Sequence, residues 1–201
     1  MTAAMHVLRW FLLVAMLSCL SGCATYYVDG NVPEVAVTQY KKPTNPTDVQ
    51  LLWEFQTKGV ANARATQLLK PRVFDQFTTS GLFTNVSDAP AISGALLSVV
   101  INNVQLTDDA ASKGFIAGLT FGIAGQTVAD GYECTLRYLP GRNGAATLTH
   151  SGKHVIYTRV GAGGPPPGVQ KMESVEEAVF TMLRQLISRT LDTLSQEPSF
   201  P

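Results

Sequence analysis

Apolar positions recur along this chain with two periods, and the switches between them mark out its elements. Residues 49–57 (VQLLWEFQT) alternate, placing Val49, Leu51, Trp53 and Phe55 on one face of a half-buried strand. Over residues 60–77 the spacing lengthens. Ala61, Ala65, Leu68, Leu69, Val73 and Phe77 return every three or four residues, as on an amphipathic helix. Pro71 lies inside that run and predicts a kink, or two short helices meeting at Lys70. Ser80-Gly81 ends the element, glycine being the residue that turns left-handed at no steric penalty.

Residues 82–86 have the look of a short strand. Residues 94–106 (GALLSVVINNVQL) are long and rich in β-branched side chains, which predicts a central strand. Residues 132–139 alternate again, with Glu133, Thr135 and Arg137 outward, and the turn Pro140-Gly141-Arg142-Asn143-Gly144 returns the chain. Residues 146–160 then form the partner of an antiparallel hairpin. The run GAGGPPPG at 161–168 reads as a connector. Ser174, three residues before Glu177, opens the longest helix as a capping box. Its stripe is Val175, Ala178, Val179, Met182, Leu183, Leu186, Ile187, Leu191 and Leu194, and it ends near Gln196. Strand, helix, two or three strands, helix is the order of an α+β two-layer sandwich: a mostly antiparallel sheet with two helices packed on one face.

The amino terminus follows another logic. Arg9 precedes an unbroken apolar run from Trp10 to Leu17, too short for a transmembrane helix, and small residues follow. The layout is that of a secretory signal. An ordinary secretory signal, or an anchor left uncut, is the alternative reading of the same residues. Leu20-Ser21-Gly22-Cys23 resembles the bacterial lipoprotein box, in which the cysteine is lipidated and becomes the first residue of the mature chain. The resemblance implies a signal peptide at residues 1–22 and acyl chains on Cys23. Ala24, where a retained protein has aspartate, implies sorting to the outer membrane, facing the periplasm. Acyl chains contribute about 0.8 kcal/mol per buried methylene, and more than one chain makes anchoring stable. Residues 23–48, with Pro33, Pro43 and Pro46 breaking any pattern, then predict a lipidated tether reaching on the order of 80 Å if extended. Residues 49–196 would be a single domain and residues 197–201 a tail.

Composition narrows function by exclusion. The chain has 15 Lys+Arg and 15 Asp+Glu, and Arg9 is the one such charge in the signal. A near-neutral mature chain gives no electrostatic case for nucleic acid. Of three cysteines, Cys19 leaves with the signal and Cys23 carries lipid, so only Cys134 remains and no internal disulfide can form. Cys134 alternates with Tyr132, Leu136 and Tyr138, the pattern of a buried strand position. His150 and His154 fall on one face of a strand about 13 Å apart, too far to share a metal, and read as exposed strand histidines. Ser151-Gly152 lacks the nucleophile-elbow glycines, and GAGG is followed by prolines where a phosphate loop has Lys-Ser/Thr. Glu173, Glu176 and Glu177 suit the first turn of a helix. No catalytic residue, metal site or cofactor is expected.

One stretch is unusual. Residues 114–129 carry no charge, and glycines at 114, 118 and 122 make a doubled G-x-x-x-G inside an apolar hairpin expected at 112–130. About 16 residues fall short of the roughly 20 a spanning helix needs, and two strands of about seven fall short of nine to eleven. Three readings stay open: folding against the domain itself, dipping among lipid headgroups, or meeting a partner through Phe115, Ile116, Leu119, Phe121 and Ile123. The Gly-Leu-Thr-Phe-Gly core before Asp130-Gly131-Tyr132 is similar to a motif of proteobacterial lipoproteins and implies no activity. By element order and the local texture Trp53-Glu54-Phe55 and Ser80-Gly81-Leu82-Phe83, residues 49–195 resemble three groups of proteins. These are the amino-terminal domain of the translocation protein TolB, the curli-secretion channel lipoprotein, and accessory lipoproteins of lipopolysaccharide export. The expectation is a non-enzymatic, lipid-anchored accessory or scaffold of an envelope assembly, with an envelope protein as partner. The alternative is an oligomeric channel subunit, hence a homo-oligomer.

Overall fold

The structure is a computed structural model and describes residues 24–106, 127–141, 146–161 and 164–201. In chain order its strands are β1 (Ala24–Asp29), β2 (Asp48–Thr57), β3 (Val60–Ala61), β4 (Asn85–Ser87), β5 (Leu96–Leu106), β6 (Thr127–Leu139), β7 (Leu148–Val160) and β8 (Val169–Met172). The helices are α1 (Ala63–Thr79), between β3 and β4, and α2 (Val175–Gln196), after β8. One sheet runs β3-β2-β5-β6-β7-β1-β8, with β4 also on the edge of β2. The expected α+β class with a mostly antiparallel sheet is what the chain adopts. The parallel pairs are β2 with β5 and β2 with β4. They arise because α1 carries the chain back to the end of the sheet where β2 began, and strands joined by such a crossover run the same way.

Both helices pack on one face. A single apolar cluster joins Leu51 and Phe55 of β2, Leu97, Val99 and Ile101 of β5, and Cys134, Leu136 and Tyr138 of β6. Leu69, Val73 and Phe77 of α1 and Met182, Leu183, Leu186, Ile187 and Leu191 of α2 complete it. A smaller cluster, Tyr27, Leu106, Ala129, Val155 and Tyr157, lies on the opposite side of the sheet. The alternation read on β2 and β6 therefore points the intended residues inward. Asn62 caps α1 by accepting the Ala65 N–H, and Gly81, at φ +68°, takes the chain out of that helix. Ser174 caps α2 through the Glu177 N–H, while the Glu177 carboxylate takes the N–H of Glu173, one residue earlier than in a standard capping box.

Four expectations are corrected. Residues 24–48 are no tether. β1 pairs with β7 from Ala24↔Val160 to Val28↔Ile156, and with β8 from Tyr26↔Met172 to Asp29↔Val169. The arm after it lies on α2, where Val35 and Lys41 donate backbone N–H groups to Ser188 and Ser195 Oγ, and Tyr40 is buried. The prolines keep the arm out of the sheet without freeing it, because side chains of α2 take some of its backbone N–H groups. The residues 197–201 are no tail either: Phe200 is 9% exposed and sits 5.2 Å from the Tyr138 ring and 6.0 Å from the Phe83 ring. Next, of the two readings at Pro71, the pair of short helices meeting at Lys70 is set aside: α1 is one continuous helix with Pro71 inside it. Pro71 and Gln67 both lie on its exposed side, so water can take the carbonyl that proline leaves unpaired. Finally, residues 127–130, assigned to the apolar hairpin, are the opening of β6, where Ala129 pairs with Leu106 and Tyr157.

Candidate functional site

The chemistry expected of this chain centres on Cys23, and the first described residue after it is already sheet. Ala24 is paired with Val160 in β1, so the predicted processing point lies next to a residue already in the sheet. The register shows what shares that end of the sheet. Val160, the last residue of β7, stands opposite Ala24, and Arg159 beside it pairs with Thr25 on one side and Thr127 on the other. β8 ends at Met172, opposite Tyr26, and α2 starts three residues later. Phe115, Ile116, Leu119, Phe121 and Ile123, the expected contact residues, lie outside the described residues. The strands on either side of them, β5 ending at Leu106 and β6 opening at Thr127, stop at this same end.

Two concavities flank the helices. One, of about 210 Å3, lies between the arm and both helices and includes Glu34, Tyr40, Arg72, Phe180 and Arg184. Arg184 Nε meets Glu34 Oε2 there at 3.3 Å, and the Arg72 guanidinium lies 3.5 Å from the Phe180 ring centroid. Burial, then Asp192 and Glu34, pushes the Tyr40 hydroxyl up to about 12, so it stays protonated. The groove is a seam that fastens the arm. The other, of about 480 Å3, opens between β2 and α1 and is lined by Trp53, Phe74, Lys70 and Asp88 among others. Lys70 and Asp88 pair across it at 2.7 Å with both side chains well exposed, a geometry of little energetic weight. Thr66 Oγ1 accepts the Phe55 N–H on that edge, which blunts it against further strand pairing.

The titratable residues read from the sequence fall differently from expectation. Cys134 is fully buried, as its alternation implied, and burial pushes its thiol up to about 12 against an opposing hydrogen bond to Thr190. A thiol held neutral and covered does not attack electrophiles. Native protein is therefore expected to react with maleimide far more slowly than protein in urea, and equal rates in a stopped labelling assay would contradict this burial.

The histidines are a correction. His154 is fully buried and His150 is largely covered, 3.5 Å from Glu197, because α2 lies across this part of β7. His154 Nε2 is 2.7 Å from Gln185 Oε1 and Nδ1 is 3.1 Å from the Val155 carbonyl. A neutral ring has one N–H for these two acceptors. Turning the Gln185 amide end for end resolves this: Nδ1–H donates to Val155 and the Gln185 amide donates to Nε2. Burial holds the His154 pKa below the usual histidine value, with Arg189 reinforcing it and Gln185, Val155 and Asp29 opposing. An unfolded chain then binds a proton more readily than the folded one below about pH 6.5, so stability is full above that value and falls as pH drops. Urea midpoints measured from pH 7.5 to 5 are expected to decline, and His154→Gln to flatten the decline.

Sequence reasoning missed Asp29, which is fully buried at the end of β1. Its Oδ1 accepts both the backbone and side-chain N–H of Asn31, closing the strand with an Asx turn. The Asp-Gly-Asn order at 29–31 was the available signal. Among the described residues no group of three or more His, Cys, Asp or Glu side chains is placed to hold a metal.

No known family profile matches the chain, and neither does any curated protein. Solved structures do. A neuraminyllactose-binding hemagglutinin homologue from Helicobacter pylori is 10% identical, with a TM-score of 0.43 over 79% of this chain and 89% of that one. The lipoprotein GNA1162 from Neisseria meningitidis is 8% identical, with a TM-score of 0.36 over 76% of this chain and all of that one. The PelC dodecamer from Paraburkholderia phytofirmans is 13% identical, with a TM-score of 0.32 over 85% of this chain and 97% of that one. Bacterial lipoproteins are thus among the solved structures it resembles, at a level of overlay too loose to carry function.

Proposed function

We propose that the protein is a non-enzymatic lipoprotein of the bacterial envelope, acylated at Cys23, held at the periplasmic side of the outer membrane, and serving as an accessory or scaffold of an envelope assembly. One observation carries the reading. Ala24, the residue after the lipoprotein box, is already paired in the sheet, so cleavage ahead of Cys23 would keep every described residue of β1. Ala24 supports outer-membrane sorting. The grooves, where Arg184 meets Glu34 and Lys70 meets Asp88, are read as supporting contact with neighbours over turnover of a substrate.

Mass measurement of the mature amino-terminal peptide tests the anchor. A diacylated or triacylated Cys23 supports it, and an unmodified Cys23 removes it. Crosslinking in intact cells then identifies what the body touches. An oligomeric channel subunit is the competing assignment, and size in detergent separates the two: a large ring replaces the scaffold reading, a monomer or dimer retains it.

A further inference from the structure

We infer that the end of the sheet at which Cys23 leaves is a bilayer-apposed surface, with Val128 and Val160 at its centre seated among lipid headgroups. The inference rests on acylation of Cys23 and adds what the fold imposes on it. Consecutive Cα atoms are 3.8 Å apart, and the headgroup layer on each side of a bilayer is roughly 5–8 Å deep. Because β1 opens at Ala24, no chain is left between the acyl chains and the sheet to let the body stand off. A lipid whose tails lie in the hydrocarbon core thus brings the Ala24 end of the domain into the headgroup layer.

What that end presents fits such a surface. Val160 is 47% exposed and pairs directly with Ala24. Val128 is 49% exposed on the next strand, opposite Thr158, which itself pairs with Tyr26. Neighbouring strands lie about 4.8 Å apart, so both valines stand close to the anchor point. Val175, 52% exposed, is at the same end but is flanked by Glu173, Glu176 and Glu177, and marks the acidic rim of the contact. Among the described residues Val128 and Val160 are exposed apolar side chains beside the anchor, and the Arg159 guanidinium at this end donates to the Gly164 carbonyl, so the matching partner is a lipid surface held by the anchor. At the far end, β2 begins at Asp48, whose carboxylate accepts the N–H groups of Ile92 and Ser93, and β6 finishes at Leu139. Ile92 and Leu139 are exposed there and serve as controls.

The test uses the full lipidated chain. Cys23 is acylated and Cys134 is buried, so a thiol introduced by Val128→Cys, Val160→Cys, Ile92→Cys or Leu139→Cys takes an environment-sensitive fluorophore alone. Each protein is reconstituted in phosphatidylcholine vesicles containing a lipid with a nitroxide on its headgroup. Quenching is expected to be several-fold stronger at positions 128 and 160 than at 92 and 139. Equal quenching at both ends, or none at either, in protein that floats with the vesicles and carries acylated Cys23 by mass, overturns this orientation and leaves the anchor standing. Protein that is unacylated and does not float overturns the anchor and the orientation together. Urea midpoints of the labelled variants show that each is folded, and Val175→Cys replaces either valine position if one is not.

Discussion

Exchanging residues 1–23 for an ordinary cleavable secretory leader is expected to move the protein from the membrane pellet to the soluble periplasmic fraction. The effect should be close to complete. Each buried methylene contributes about 0.8 kcal/mol, so losing two or more acyl chains changes membrane partitioning by many orders of magnitude, whereas a few valines hold nothing on their own. The point substitution Cys23→Ala is a weaker test, because an uncut leader retains its apolar run and can itself stay in the membrane. Fractionation with a carbonate wash checks the outcome. Protein that remains in the washed pellet without Cys23 would show a second membrane determinant, and residues 114–123 are where to look for it.

Phe77→Ala is expected to lower stability by about 3–5 kcal/mol, the usual range for emptying a fully buried aromatic site. Phe77 has no exposed surface and joins α1 to the shared core, so the ring has no route to water and the surrounding side chains have few ways to close the gap. Against a total of about 5–15 kcal/mol for an ordinary domain, that loss leaves the fold marginal. Leu68→Ala is the control. Leu68 belongs to the same three-and-four spacing yet is largely exposed, and its truncation should stay within about 0.5 kcal/mol. Urea titration distinguishes the two, with the midpoint moving for Phe77 and the slope unchanged.

The contrast between Leu68 and Phe77 shows what periodicity conveys. Spacing identified α1, but an apolar stripe broader than the sheet beneath it does not say which edge is left in water. The same holds at α2, where Val175 continues the stripe but lies beyond the covered part of the sheet. β2, β6 and both helices were legible because each is long enough for its own period to show, β5 from its length and β-branched side chains, and β7 as the return of a hairpin. β1, β3 and β8 were not. Two to six residues cannot display a period, and β1 and β8 are strands because of each other and β7, partners far away in sequence. His154 was misread for a related reason: alternation on β7 gave its face, but only α2 lying across that face makes it the buried one. Of the candidate site, the residue proposed to bear lipid was readable from a local motif. The surroundings of that residue come from strand register, which a single sequence does not print.

The placement of β1 also has a consequence for biogenesis. Its neighbours β7 and β8 are built from residues 148–172, so the first segment to emerge during secretion has nothing to pair with until most of the polypeptide has followed. Contacts of such sequence separation form slowly. Newly exported molecules should therefore present Tyr26, Tyr27 and Val28 to solvent until residues 148–172 have followed, and a holdase that shields nascent chains would find a binding segment there.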